Sequence, residues 1–236
     1  MFAAECAGLA ALGATRTVRV PRVIACGVAG QHAYLVLEHF NLCRHGNNEL
    51  LGRQLAALHR VQSGQFGWDQ DNTLSLTPQL NTRSPDWLSF WREQRLGFQL
   101  ELAACNGYHG KVQELGRKVM DALPDLFAGY YPAASLLHGD LWGGNYAFLA
   151  DGKPLIFDPA PYFGDREADI AMTELFGGFD AGFYAAYHAA YPLDAGYDKR
   201  KNLYNLYHIL NHCNLVGSSY LNQAEDMMKK ILNTIK

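Results

Sequence analysis

The residues best suited to chemistry lie in the run Leu136-Leu137-His138-Gly139-Asp140-Leu141-Trp142-Gly143-Gly144-Asn145, and Asp158 follows Asn145 by thirteen residues. Phosphoryl transfer asks a protein for such parts. One carboxylate accepts the proton of the attacking hydroxyl or orients that hydroxyl, and oxygen ligands hold a magnesium ion that bridges the phosphates. Asn and Asp side chains on adjoining loops can supply those ligands. Each residue alone is weak evidence, because an aspartate after a strand is commoner as a turn or cap. The joint pattern of spacing, strand context and intervening hairpin is specific. His138 reads as a brace that hydrogen-bonds the loop, not as an acid or base.

Several elements must position these residues. The apolar run 135–138 reads as a short strand leading into the motif. Strands over 146–149 and 154–157 flank Asp151-Gly152, a strong hairpin turn. Beyond it, helices are expected over 165–176, 179–191, 197–220 and 223–235. Asp165 reads as the N-cap of the first of these. Asp169, one turn on and on the apolar side, reads as a brace for the catalytic loop, since a buried acid needs donors and the loop amides are candidates. Arg166 and Glu167 read most simply as solvated. Upstream, the pattern predicts a helix over 1–12 stopped by Gly13, and β-rich runs at 18–20, 23–26 and 33–38 with a turn at 27–31. A helix ending near Val61 precedes a long polar segment, 63–83, of a length that is usually functional. Ser84-Pro85 reads as the start of a helix reaching about Cys105, with Ser84 as N-cap. A further helix is expected over 111–123.

Composition narrows the classes. With 49% hydrophobic and 18% charged residues among 236, the chain is that of a folded globular protein. Twenty Lys and Arg against 23 Asp and Glu leave a net charge of −3, so there is no broad cationic field for nucleic acid. No apolar run approaches the roughly 20 residues needed to span a bilayer, and the N-terminus carries no export signal. Five cysteines, odd in number and never C-x-x-C, suggest neither disulfides nor a zinc site, and fit free thiols in a reducing cytoplasm.

The chain resembles the fructosamine kinase (ketosamine-3-kinase) family, within the aminoglycoside-phosphotransferase-like branch of the kinase fold. The resemblance rests on Phe66-Gly67, Asn72-Thr73-Leu74, Asn81-Thr82, residues 87–90, Glu93-Gln94-Arg95-Leu96 with Gln99-Leu100, residues 136–145 and 157–172. It continues through Tyr204-x-Leu206-Tyr207-x-x-Leu210-Asn211-His212-x-Asn214, Gly217 and Tyr220. It implies an α+β, protein-kinase-like fold, with an incomplete small β-containing N-lobe over 1–40 and a large helical C-lobe over 41–236. It also implies ATP-dependent, magnesium-assisted phosphorylation of a sugar hydroxyl on a ketoamine, a step that favours deglycation. Carried over, Asp140 is the base, Asn145 and Asp158 are the magnesium ligands, and Glu38, His39 and Phe40 lie at the hinge where backbone groups contact adenine. Glu5 matches the helix glutamate that pairs with a strand lysine.

The glycine hairpin and the strand lysine of that pattern are not among these residues: no lysine precedes Lys111. The expectation is therefore of an N-terminally truncated chain. It should have weak ATP affinity, poor transfer and an open sheet edge that invites self-association. A catalytically dead binding protein is the alternative from another class, and a choline- or aminoglycoside-type kinase the alternative among enzymes. On the acceptor side, Glu93, Arg95 and Gln99 fall at helical spacings and either touch substrate or are solvated. Trp142 either packs on the sugar's apolar face or supports the loop. Asn211, His212 and Asn214 either hold the catalytic loop or line the acceptor pocket.

Overall fold

A computed structural model describes residues 1–235. Helix α1 (Phe2–Ala14) buries Gly8, Leu9 and Leu12 and packs against an antiparallel pair, β1 (Val23–Ala29) and β2 (His32–Leu37). Strand β1 runs to Ala29, so the turn is shorter than expected and centres on Gly30 at φ +63°. Residues 18–20 form no strand of their own. Arg19 makes only a single parallel bridge to Leu155, because its neighbours Val18 and Val20 turn into the core.

Helix α2 (Asn48–His59) is capped by Asn47, whose side chain accepts from the Leu50 amide. The long polar segment is more ordered than its composition suggests. It holds β3 (Gln62–Ser63) and a small hairpin, β4 (Asn72–Leu74) and β5 (Thr77–Gln79). The hairpin is pinned at its base. Asn72 and Gln79 donate to the carbonyls of Pro161 and Ala160 at 2.8 and 3.0 Å, and Tyr207 donates to Gln79 at 2.9 Å.

The next helix starts later than expected, as α3 (Trp87–Trp91). Its cap is Asp86, which accepts from the Ser89 amide at 2.7 Å, while Ser84 serves the preceding turn by accepting from the Asp86 amide. Replacing Asp86 with Ala should cost about 1 kcal/mol, lowering Tm by about 2–4 °C for a chain of this size. Thermal unfolding of Asp86→Ala beside Ser84→Ala checks this, with the serine change expected to be the milder. A π-helical segment, Arg92–Gly97, joins α3 to α4 (Phe98–Cys105). Helices α5 (Lys111–Asp121) and α6 (Leu123–Leu126) follow.

Strand β6 (Ala134–Leu136) sits between β3 and β9 (Phe163–Gly164) in a three-stranded sheet. Strands β7 (Tyr146–Phe148) and β8 (Pro154–Ile156) form the expected hairpin across Asp151-Gly152. The connector after β2 is anchored on that hairpin, where Cys43 and Phe148 exchange backbone bonds at 2.8 and 2.9 Å. Helices α7 (Glu167–Leu175), α8 (Ala181–Ala190), α9 (Tyr197–Val216) and α10 (Leu221–Thr234) complete the α+β architecture. α9 runs through the core, burying Leu203, Tyr204, Leu206, Tyr207, Ile209 and Leu210.

Arg166 and Glu167, expected in solvent, are buried. Glu167 forms a two-pronged ion pair with Arg200 of α9 at 2.8 and 2.9 Å, and Arg166 donates to the Tyr187 hydroxyl. Asp165 accepts from the Glu167 amide at the head of α7, as a capping residue would, but it also takes the hydroxyls of Tyr130 and Tyr204.

Candidate active site

Strand β6 delivers the chain into a loop held on both sides. Leu137 donates to the Tyr162 carbonyl and Ala160 donates to the His138 carbonyl, at 3.0 and 2.9 Å. The approach is so close that a Cβ on Gly139 would lie 2.0 Å from the Ala160 oxygen, and its φ of +83° disfavours a side chain as well. Asp169 of α7 braces the loop as expected, accepting from the His138 and Gly139 amides at 2.7 and 2.9 Å and contacting His59 Nε2 at 3.1 Å. Burial would raise the Asp169 carboxyl, but the His59 ring and these donors outweigh it and hold the group below its usual range.

His138 is fully buried and acts as a brace. Its Nδ1 accepts from the Asp140 amide at 3.3 Å, so Nε2 carries the proton and donates to the Phe157 carbonyl at 3.0 Å. Burial lowers its pKa and keeps the ring neutral.

Asp140 and Asp158 line one cleft of about 640 Å³, with Asn145 between them. The Asn145 amide nitrogen donates to the Asp140 carbonyl at 2.9 Å, with longer contacts to the Asp140 carboxylate and the Asp158 carbonyl. Burial, then the charges of Asp158 and Asp169, push the Asp140 carboxyl up to about 7, into the range that suits a general base. Asp158 sits at φ +56°, a conformation rare for a residue with a side chain and of a kind that gathers at functional sites.

A second cavity, of about 330 Å³, adjoins the first. Glu5 of α1, Asp158 and the tip of the β4–β5 hairpin line it. Glu5 is half-buried, and burial followed by the Asp158 charge raises its pKa. Asp158, Ser75 and Leu76 border both cavities.

The first cavity is walled by Trp142, Met172, Phe176, Asn211, His212, Leu215 and Val216. Trp142 is 41% exposed there and meets Phe176 edge to face, and its indole also lies against Gly144 of the loop, so it both lines the cleft and packs on the loop. Asn211 and His212 also line the cleft. Asn214 does not, because its amide clamps Gln99 at 2.8 Å.

Two sequence expectations meet a different geometry. Arg95 is fully buried. It donates to the Leu80 carbonyl and the Asn81 side chain and lies 4.1 Å from the centre of the Tyr162 ring, so it supports the β4–β5 hairpin instead of facing the cleft. Gln99 is equally buried, contacting Asn211 and Asn214, and reaches the cleft only through Asn211. Glu93 is exposed and lies outside the lining of both cavities. Glu38 is tied to Arg19 at 2.8 Å, and its amide donates to the Arg22 carbonyl. His39 is exposed, and Phe40 packs against the Arg19 guanidinium.

A family model for fructosamine kinase matches residues 1–234. The chain belongs to the fructosamine kinase family. It is 49% identical to a protein named a probable ketoamine kinase from Synechocystis, over 98% of this chain and 79% of that protein. It is 41% identical to the chloroplastic protein-ribulosamine 3-kinase of Arabidopsis thaliana, over 100% of this chain and 73% of that one. A crystal structure assigned as a fructosamine-3-kinase, from Haemophilus somnus, superposes with a TM-score of 0.89 at 33% identity, covering 98% of this chain and 79% of the other. An aminoglycoside phosphotransferase at 12% identity and a TM-score of 0.57 shares the fold alone. The architecture is thus kinase-like, as the motifs implied, and membership in a kinase family makes ATP the phosphoryl donor.

Within this fructosamine kinase fold, three contributors to the cleft carried no strong local signal. His208 lies one helical turn before His212, so the i, i+4 spacing could have placed both on one face. Phe176 and the Leu74–Leu76 tip arrive from distant parts of the chain. The His208 ring stands 3.9 Å from the Asp140 carboxylate, and burial, then His212, lowers its pKa to about 3. The native ring thus stays neutral at acid pH where the unfolded chain binds a proton near 6.5. Its contribution is full above the unfolded pKa and lost as pH falls toward 3. Between pH 6 and 4 this amounts to about 1.4 kcal/mol per pH unit. Urea unfolding of wild type and His208→Asn should show the wild type losing stability faster on acidification by that slope. Parallel curves would contradict a neutral buried ring.

Proposed function

We propose that this protein transfers the γ-phosphoryl group of ATP to a sugar hydroxyl of a ketoamine, with Asp140 as the base. The observation that carries the reading is the shared cleft: Asp140 and Asp158 face it together with Asn145 between them, in a chain of this family. Asp140 takes the proton of the acceptor hydroxyl, the hydroxyl oxygen forms a bond to the γ-phosphorus, and the bond to the bridging oxygen breaks to release ADP. Trp142 offers the sugar a flat apolar surface.

Asn145 and Asp158 are suited to hold magnesium. Asn145 commits its amide nitrogen to Asp140 and Asp158, which leaves its oxygen outside those bonds, and the Asp158 carboxylate accepts no hydrogen bond among the described residues. One carboxylate and one amide oxygen, completed by phosphates and water, suit this ion, which would neutralise charge developing on the phosphates. Glu5 would lie on the phosphate side of Asp158, and residues 38–40, just after β2, would form the adenine hinge between a small lobe over 1–40 and the helical lobe from residue 41 onward.

Free thiols at all five cysteines support a cytoplasmic setting. No helix among the described residues is long and apolar enough to cross a membrane. The exposed side chains of Ile24, Val28 and Val36 on the β1–β2 pair support self-association there. The deciding experiment supplies ATP, magnesium and Nε-fructosyl-lysine and follows ADP release and the phosphorylated ketoamine by ³¹P NMR. Transfer to choline or an aminoglycoside with the ketoamine left untouched would replace this reading with another kinase of the same fold.

A further inference from the structure

Five large apolar side chains stand partly in solvent around one opening. Leu76, at the β4–β5 tip, is 75% exposed; Trp142, Phe176, Leu215 and Val216, across the cleft, are 41, 43, 39 and 67% exposed. Apolar groups gathered around a single mouth mark a binding surface more than a scatter of single exposed residues does. The mouth is also held in place. Asn72 and Gln79 fix the base of the hairpin on residues 160–161, and Phe176 is seated between Trp142 and His212 at ring separations of 6.5 and 5.3 Å.

The charges run from floor to rim in one sense. The ionisable groups lining the cleft are Asp140 and Asp158 on the floor, with His208 and His212 beside them; no Lys or Arg is among the described lining residues. A sugar hydroxyl at Asp140 leaves the rest of the substrate to exit between Leu76 and Val216. The cationic secondary amine of a ketoamine is drawn to the floor carboxylates. A carboxylate on its substituent would find no Lys or Arg side chain to pair with among the described lining residues.

We propose that this rim is a hydrophobic subsite for the substituent on the ketoamine nitrogen, selecting adducts that carry an uncharged alkyl or aryl chain over those that carry a nearby carboxylate. The inference rests on the acceptor reading given under Proposed function. Each methylene fully removed from water is worth about a fourfold gain in affinity, and on an open rim about half of that free energy is realised, or about twofold each.

Calorimetric titration with 1-deoxy-1-(alkylamino)fructoses tests it, using methyl, butyl, hexyl and carboxymethyl substituents. The butyl adduct should bind about tenfold more tightly than the methyl adduct, and the carboxymethyl adduct more weakly than either. Leu76→Asp and Val216→Asp, both at exposed positions, should each compress the methyl-to-butyl ratio to about twofold. Having two variants guards against one that misfolds. Equal affinities for methyl and butyl adducts, or an unchanged ratio in a folded variant, would overturn the subsite while leaving the acceptor site standing. Failure of every adduct to bind would overturn the acceptor reading itself, and the subsite with it.

Discussion

Asp140→Asn should turn over about 10²–10⁴-fold more slowly than wild type while binding ATP about as tightly. Asparagine keeps the shape of the side chain and an oxygen for the Asn145 amide, whose main bond goes to the Asp140 carbonyl in any case. The loop is held by the backbone and by His138 and Asp169, none of which depends on the Asp140 carboxylate. What disappears is the group able to accept a proton. Removing a buried charge that is repelled by Asp158 and Asp169 should leave the fold at least as stable. A coupled kinase assay gives the rate, calorimetry the ATP affinity and thermal unfolding the control. A folded variant working at the wild-type rate would remove Asp140 from its role as base.

The largest effect on stability is expected from Asp169→Ala. That carboxylate serves the His138 and Gly139 amides and the His59 ring, all buried. Truncation leaves each of them without an acceptor, at about 1–3 kcal/mol apiece, and the losses overlap within one network. A total of about 3–5 kcal/mol is reasonable, a large part of the stability of an ordinary domain. Asp169→Asn keeps one acceptor oxygen and should cost less. Urea unfolding of both variants measures the difference, and a loss under about 1 kcal/mol for the alanine variant would mean that the loop finds its acceptors elsewhere.

The residues proposed for catalysis could be picked out of the sequence because their relations are local. Asp140, Asn145 and Asp158 are separated by a turn and a hairpin that the sequence specifies, and Asp169 follows from its place on the apolar side of α7. The wall proposed for the acceptor was less legible, for two physical reasons. Residues 92–97 form a π-helical segment, whose wider turn breaks the 3.6-residue period used to assign faces. Arg95, assigned to a substrate face, is instead directed into the core, where three aromatic rings surround its guanidinium. The second reason is distance along the chain. Leu76, Phe176 and His208 belong to three elements, and only tertiary packing brings them to one opening. Arg166 and Glu167 misled for a related reason, since their partners, Tyr187 and Arg200, lie on other helices.

The wall shared by the two cavities has a kinetic consequence. Asp158, Ser75 and Leu76 border both chambers, and Ser75 is held at φ +56° at the hairpin tip. If the nucleotide phosphates take the smaller chamber and the acceptor the larger, as proposed, each ligand borders a surface that also bounds the other. By linkage the influence is mutual and equal: whatever factor the nucleotide applies to acceptor affinity, the acceptor applies to nucleotide affinity. The two substrates should then meet in a ternary complex, with initial-rate plots that intersect instead of running parallel.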